Sequence, residues 1–180
     1  GNRAIYLEAA VNYRNTFGRH TVSGMMLFNQ SDEINTKATN VEEALPYRFR
    51  GLAGRFTYSF DDRYFGEFNF GYNGSENFAP KNSYGFFPSV GLGWVISNEP
   101  FFRGATEVIQ YLKLRGTWGR VGNSQISGRR FAYLATVKDT NDTSYQFGKN
   151  MDQTYGTTAI DEYAVDVTWE IADKTNIGLD

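Results

Sequence analysis

The sequence predicts an all-β fold: an antiparallel transmembrane β-barrel segment of about eight strands, with short turns at one end and long loops at the other. Strand-like segments alternate apolar with polar residues, aromatic residues make up 17% of the chain, and glycine is frequent, with 19 residues. No run approaches the ~20 apolar residues of a membrane helix. Alternating barrel strands do not raise a hydropathy window, so a mean hydropathy of −0.49 is compatible with them.

The clearest element is a hairpin over residues 47–73, whose two strands meet at Asp61-Asp62-Arg63. Successive side chains of a strand point to opposite faces. One face of the hairpin is mostly aromatic and carries Phe56, Tyr58, Phe60, Tyr64, Phe68, Phe70 and Tyr72. The other face carries Arg55, Thr57, Glu67 and Asn69. This pattern is typical of a barrel strand with lipid outside and a wet lumen inside.

The remaining strands are predicted at 4–16, 20–30, 84–96, 109–121 and 163–169, with a final strand beginning near 175. Lys113 and Arg115 fall on the polar face of the strand at 109–121. Pro88 lacks an N–H, so we expect it early in its strand or locally unpaired.

Short connections are predicted at 17–19, 61–63 and 170–174, and as one helical turn at 97–102 with Pro100 near its start. Long polar connections are predicted at 32–46, 74–83 and 122–162, the last with a strand-like run at 130–137. Outer-membrane barrels have short periplasmic turns and long extracellular loops. The alternation therefore predicts that residues 61–63 lie at the periplasmic rim.

Composition argues against several other classes. The net charge of −2 gives no signature of nucleic-acid binding, and the absence of cysteine removes disulfides and thiolate metal sites. The lone histidine, His20, has no grouped partner for catalysis or metal binding. Asp139, Asn141 and Asp142 lack the mid-loop glycine and closing glutamate of an EF-hand. We expect no enzyme activity, no cofactor and no metal site.

Several long segments are similar to the SusC/RagA family of TonB-dependent outer-membrane transporters. They are LPYRFRGLAGRFTYSFDDRYFGEFNFGYNGSENF (45–78), YGFFPSVGLGWVISNEPFF (84–102), YLKLRGTWGRVGN (111–123), RRFAYL (129–134) and VTWEIADKTNIGLD (167–180). They follow one another in the order found in the family. The resemblance is weakest over 1–43 and 141–162.

The resemblance implies that residues 1–180 form a middle-to-late part of a 22-strand barrel in the bacterial outer membrane. It also implies that the plug domain, the TonB box and the terminal strand lie outside this segment. Family members import glycans or oligopeptides, with a SusD-like surface lipoprotein as lid and the TonB complex as energy source. We therefore expect an internal piece of a longer transporter.

Two groups of residues are candidates for function within such a barrel. Lumen lining is expected from Arg55, Thr57, Glu67, Asn69, Lys113 and Arg115. Contacts of the extracellular loops with substrate or lipoprotein are expected from the aromatic residues Tyr133, Tyr145, Phe147 and Tyr155, whose rings suit stacking on sugars. The residues alone leave two alternatives open: a complete eight-stranded structural or adhesive barrel, and a soluble carbohydrate-binding β-sandwich.

Overall fold

The computed structural model describes residues 2–35, 45–105, 108–125, 131–147, 149, 153–162 and 164–180. Its strands are β1 (Asn2–Phe17), β2 (His20–Asn35), β3 (Tyr47–Phe60), β4 (Tyr64–Ser75), β5 (Tyr84–Val95), β6 (Lys113–Asn123), β7 (Thr136–Phe147), β8 (Gln153–Glu162) and β9 (Glu170–Leu179). Short 3₁₀ helices lie at Pro80–Asn82, Ile96–Asn98 and Pro100–Ala105. Within these ranges, no helix has the length and apolar character needed to cross a membrane.

Seven strands form one antiparallel sheet in the order β1-β2-β3-β4-β5-β6-β9, and β7 pairs with β8 in a separate two-stranded sheet. Sequence neighbours are spatial neighbours up to β6, so each pairing follows directly from a turn or loop. The predicted all-β antiparallel class is confirmed.

The turn between β3 and β4 fixes the register of the central hairpin. Asp61 and Asp62 have φ angles of 55° and 51°, and the Arg63 N–H donates to the Phe60 carbonyl at 3.0 Å. Positive φ at both central residues defines the type I′ turn, whose twist matches that of the flanking strands. Arg63 adds a third residue to the loop, so Phe60 pairs with Tyr64, and Leu52 with Tyr72, as the predicted hairpin requires.

The main sheet has no second layer over its apolar face among the residues described. Large apolar side chains on that face are open to solvent, with 71% of Val11, 67% of Leu92 and 78% of Ile177 exposed. A soluble sandwich would bury such a face against another sheet. The β-sandwich alternative is therefore not what the chain forms.

The main sheet is also open at both edges in the part of the chain described. β1 pairs only with β2, and β9 pairs only with β6. A closed eight-stranded barrel would require those two edge strands to pair. The sheet is thus a segment of a wall and not a complete small barrel.

The strand predicted at 109–121 begins later, at Lys113. The Leu112 carbonyl accepts the N–H groups of Ile96 and Ser97, at 2.8 and 3.3 Å. It closes the connection after β5, which therefore extends beyond the predicted turn at 97–102. Strand β2 is longer than predicted and continues to Asn35, because β1 pairs with it as far as Asn35 and β3 as far as Glu33.

Three predictions between β6 and the C-terminal end are wrong. The run predicted at 130–137 is not a continuous strand: Phe131 has a φ of 53°, and the Leu134 N–H donates to the Phe131 carbonyl at 2.8 Å, which makes a turn, and β7 begins only at Thr136. The described residues of the predicted strand at 163–169 have no regular structure. The predicted turn at 170–174 is instead the first half of β9, which pairs with β6.

Pro88 lies in β5 opposite Phe70 of β4, but the pairing of β5 with β6 starts only at the next residue, Ser89. The missing N–H of proline therefore falls where only one neighbouring strand is paired, as predicted.

We expect the isolated 180-residue chain to aggregate in detergent, because both edge strands present unpaired backbone groups. Refolded samples should give no heat-modifiable band in gel electrophoresis. The full-length parent is the control and should give one. A compact, heat-modifiable monomer from the isolated chain would contradict the open sheet.

Candidate functional site

The polar face of the sheet carries a connected group of side chains on β3, β4 and β5. The Arg55 guanidinium donates to Glu67 at 2.8 Å, and the Asn69 amide donates to the other Glu67 oxygen at 2.7 Å. Asn69 also reaches the Ser89 hydroxyl at 3.4 Å. These groups meet because Arg55 pairs with Asn69, which pairs with Ser89. A cavity of about 1000 Å³ lies along this face.

Small residues keep that cavity open. Glu67 and Asn69 of β4 lie opposite two small residues of β5, Gly91 and Ser89 respectively. The side chains of Asn29 on β2 and Asn73 on β4 approach each other over Gly51 of β3, where an added Cβ would lie 2.3 and 2.9 Å from their oxygens. The face is therefore lined by amides, hydroxyls and paired charges that can exchange hydrogen bonds with a polar surface.

A second basic group lies on the same face nearer the short-turn end. The Lys113 ammonium lies 5.4 Å from the centre of the Phe65 ring, and the Arg115 guanidinium contacts Asp180 at 2.9 Å. Arg115 shares a register row with Gly93 and Gly178.

All six residues predicted to line a lumen occupy the polar face. Arg55, Glu67 and Asn69 are in direct contact. Thr57 joins them through register with Glu67 and contacts the Ser23 hydroxyl on β2. Lys113 and Arg115 form the separate basic group. The sequence analysis missed Ser23 and Ser89, although the alternation of β2 and β5 places both on the polar face.

The opposite face carries two aromatic bands. At the short-turn end, His20, Phe60, Tyr64 and Trp94 follow one another across four strands, with ring centres 4.8 to 6.4 Å apart. Near the long-loop end, Tyr72 stacks on Tyr84 at 5.1 Å. Such rings suit a membrane interface, since one part of the ring lies in lipid and another in water.

A charged pair joins β6 to β9. Arg120 donates twice to Asp173 on β9, at 2.8 and 2.9 Å. The strand register places the two residues opposite each other. The two-point contact neutralises both charges locally.

The short-turn end is held by a buried carboxylate. Glu99 is 7% exposed and accepts from the Tyr64 hydroxyl at 2.6 Å, the Trp94 indole N–H at 3.1 Å and Arg63 at 3.3 Å. The Tyr64 hydrogen bond, supported by those of Trp94 and Arg63, holds the pKa of Glu99 below its usual range. Glu99 thus ties the connection after β5 to the turn between β3 and β4. The sequence placed it in a helical turn and gave no sign of these partners.

The neighbouring turn carries a second ion pair. The Arg19 guanidinium donates to Asp61, and Arg63 contacts the same carboxylate at 2.8 Å. The Arg19 hydrogen bond is the main reason why the pKa of Asp61 is lowered. Together, Arg19, Arg63 and Glu99 join all three connections at this end.

The long-loop end is closed over a small apolar cluster. Phe78 and Trp169 are 2% and 8% exposed, and their rings lie 5.2 Å apart. Phe87 of β5 lies 5.0 Å from the Trp169 ring. Its own ring fills the space over Gly122, where an added Cβ would lie 2.0 Å from a ring carbon. The sequence predicted Trp169 at the end of a strand. The cluster could not be predicted from local pattern, because it joins segments distant in sequence.

Polar contacts fix the loops around this cluster. Lys81 pairs with Asp166 at 2.6 Å, and the Asn82 amide donates to the same carboxylate at 3.1 Å. The Asn77 amide donates to the Ser124 carbonyl at 3.0 Å. The connection after β4 is thereby tied to the segments that flank the long excursion after β6.

The predicted loop aromatics separate into two sets. Tyr133 is half-buried and lies in the turn after residue 130, with its ring 6.3 Å from Phe131. The backbone register places Tyr145 of β7 opposite Tyr155 of β8, and Phe147 opposite Gln153. The side chains of Tyr145, Phe147 and Tyr155 lie outside the described part of the structure, as do those of Asp139, Asn141 and Asp142. Among the residues described, no group of three or more His, Asp or Glu side chains is arranged to hold a metal ion.

Comparisons with known proteins agree with this architecture. No protein-family model matches the chain. The TonB-dependent receptor SusC of Bacteroides thetaiotaomicron is 38% identical over 128 residues, which are 71% of this chain and 12% of SusC. Two solved structures of RagAB match 99% of the chain and 21% of the RagAB chain, each with a TM-score of 0.68. One is titled a peptide transporter (20% identity) and the other a peptide importer in the "closed-closed" state (19% identity).

The open antiparallel sheet, with one polar and one apolar face, defines the chain as a segment of a β-barrel wall. The SusC match over most of the chain makes that assignment specific. The chain belongs to the SusC/RagA family of TonB-dependent receptors. It spans about an eighth of SusC and about a fifth of the RagAB chain.

We expect Glu99→Gln to lower the melting temperature of the full-length receptor by several degrees at pH 7, because it removes the charge that three donors surround. A carboxylate with a lowered folded-state pKa stabilises the protein above its unfolded pKa of about 4.5 and loses that effect as pH falls through the folded value. The difference between wild type and variant should therefore shrink below pH 4.5. Thermal unfolding in detergent at several pH values measures this, and a difference constant down to pH 3 would contradict it.

We expect Gly122→Ala to destabilise the full-length receptor by about 1–3 kcal/mol, because the new methyl group overlaps a Phe87 ring that Trp169 holds in place. Gly116→Ala in the same strand is the matched control, since nothing lies within 4 Å of its added Cβ. Phe87→Leu should recover part of the loss in the Gly122→Ala background. Equal melting temperatures for the two alanine variants would contradict the packing described.

Proposed function

We propose that the chain forms part of the barrel wall of an outer-membrane transporter that takes up nutrients in a TonB-dependent manner. One observation carries this proposal: a sheet with an uncovered apolar face and a polar face, matched by 38% identity to SusC. An apolar face banded by aromatic rings suits lipid, and backbone groups in lipid need a closed sheet. In this proposal, residues 1–180 belong to the barrel domain, and plug, TonB box and terminal strand are supplied by other parts of the protein.

The proposed location is the bacterial outer membrane, with the short-turn end toward the periplasm. The three connections at that end are joined by Glu99 and Asp61, whereas the connections at the other end include the long excursion after β6. Short periplasmic turns and longer extracellular loops are the general arrangement of outer-membrane barrels.

The polar-face residues are proposed to line the lumen and contact the plug. The group around Glu67 offers an amide, a hydroxyl and an ion pair, and Lys113 and Arg115 add positive charge nearer the periplasmic end. None of these groups is arranged as an acid, base and nucleophile, so we assign them binding roles and no catalysis.

The proposed substrate class is glycans or oligopeptides. The similarity to the RagAB peptide importer supports peptides, and the family resemblance implies glycans as the other class. We propose that Tyr133, Tyr145, Phe147 and Tyr155 contact substrate or a SusD-like surface lipoprotein at the extracellular end, and that the TonB complex drives uptake through the N-terminal part of the protein. No cofactor is required.

Deletion and complementation in the source bacterium test this function. We expect the full-length protein to fractionate with the outer membrane and the deletion strain to lose growth on one class of glycan or peptide. A parallel strain without TonB function should show the same loss. Recovery of the full-length protein in the soluble fraction would overturn the proposal.

We expect charge reversal at the polar face to impair uptake with little effect on stability. Glu67→Arg opposes Arg55 with a like charge, and the double variant Arg55→Glu/Glu67→Arg restores an ion pair. Because the pair is largely exposed, the stability changes should be below about 1 kcal/mol. Uptake rate and melting temperature of the full-length transporter are the measurements. A double variant no better than Glu67→Arg would contradict a role for this pair in the lumen.

A further inference from the structure

A cleft of about 660 Å³ lies at the long-loop end of the sheet. Its lining includes Arg48, Arg50, Tyr84, Phe131 and Leu134. One wall is the upper part of β3 to β5, and the opposite wall is the turn that precedes β7. The cleft therefore combines two guanidinium groups with aromatic and aliphatic surface.

Part of the cleft wall is on the apolar face of the sheet. Arg48 and Arg50 have the same strand parity as Leu52 and Phe56, and the register places Arg50 opposite Gly74, which faces Tyr84. The polar-face residues Arg55 and Thr57 have the opposite parity.

The position of Arg50 along β3 places it at the top of the apolar band. Ten residue steps separate it from Phe60, which lies in the lower aromatic band. At ~3.3 Å per residue and a strand tilt of ~40°, these steps span roughly 25 Å, the height of the lipid-facing band of an outer-membrane barrel. Arg50 therefore lies at the level of the outer-leaflet headgroups when the barrel is in its membrane.

The two arginines differ in their partners. Arg48 is neutralised by two carboxylates, Asp32 at 3.2 Å and Glu76 at 3.8 Å. Arg50 is exposed and has no ion pair or hydrogen bond from its side chain among the residues described. A positive charge without a counter-ion at the headgroup level is complementary to an anionic lipid.

Tyr84 completes the donor set. Its ring packs on Gly74, where an added Cβ would lie 2.6 Å from a ring carbon, and it stacks on Tyr72 at 5.1 Å. Half of the residue is exposed. The ring is thereby held beside Arg50 in the same register row, with a hydroxyl that can donate to the same anion.

We propose that this cleft binds the phosphorylated headgroup of an outer-leaflet lipid. The Arg50 guanidinium donates two parallel hydrogen bonds to phosphate oxygens, Tyr84 donates a third, and the exposed side chain of Leu134 contacts the apolar part of the lipid. The apolar walls favour a lipid over free phosphate. The carboxylates of Asp32 and Glu76 are already paired with Arg48. This inference rests on the outer-membrane location in the proposed function.

The test uses the full-length receptor purified in detergent and native mass spectrometry. The probes are the phosphorylated glycolipid extracted from the outer membrane of the same bacterium, the same extract after enzymatic dephosphorylation, and inorganic phosphate. We expect wild type to retain the phosphorylated lipid about tenfold better than Arg50→Gln, from the loss of charged hydrogen bonds. Arg50→Lys should be intermediate because it keeps the charge without the fork.

Arg55→Gln is the matched control, because it removes an arginine from the other face of the same strand and should leave lipid retention unchanged. Heat-modifiability shows that each variant is folded. The inference is overturned if Arg50→Gln retains the lipid as wild type does, if dephosphorylation has no effect, or if inorganic phosphate alone displaces the lipid. A receptor that is absent from the outer-membrane fraction defeats the proposed function instead, and fractionation distinguishes the two failures.

Discussion

The strand register is the constraint on which the rest of the structure depends. Because side chains alternate with a period of two, a slip by one residue would move every charged group of a strand to the lipid side. The turn at Asp61-Asp62-Arg63 prevents this in the central hairpin, since a three-residue loop with positive φ at Asp61 and Asp62 sets Phe60 opposite Tyr64. Glu99 extends the constraint to β5 by binding Tyr64, Trp94 and Arg63 together. The short-turn end therefore fixes the strand register, and with it the side chains that each face carries.

On both faces of the sheet, aromatic rings pack over glycine residues of neighbouring strands. On the apolar face, the Phe70 ring occupies the space beside Gly54, where an added Cβ would lie 2.3 Å from a ring carbon. On the polar face, the Phe87 ring occupies the space over Gly122 and packs against Trp169. A sheet without a central core thus gains packing from rings that cover glycine residues on neighbouring strands. This explains how so few fully buried side chains hold the described part of the chain together.

Local pattern was sufficient for β1 to β5 and insufficient after β6, for a physical reason. The first strands pair with sequence neighbours, so alternation and turn chemistry at Asp61 contain nearly all of the relevant information. β9 instead pairs with β6 across a long excursion, and the partner of Trp169 is Phe78, on a distant connection. The three hydrogen bonds of Glu99 could not be predicted either, since no local sequence pattern indicates which donors a glutamate in a helical turn will contact. Polar-face membership was predictable from parity, whereas contacts between side chains required the register.

Two arginines on one strand show that the face on which a charge lies decides which partners it meets. Arg55 and Arg50 lie five residues apart on β3 and carry the same guanidinium. Arg55 faces Glu67 across the polar side and has a protein partner, whereas Arg50 faces the apolar side at its upper limit and has none in the described structure. A guanidinium is strongly basic and stays charged in either place. The outward charge is therefore available to an anion from the surroundings, which in the proposed location is a lipid headgroup.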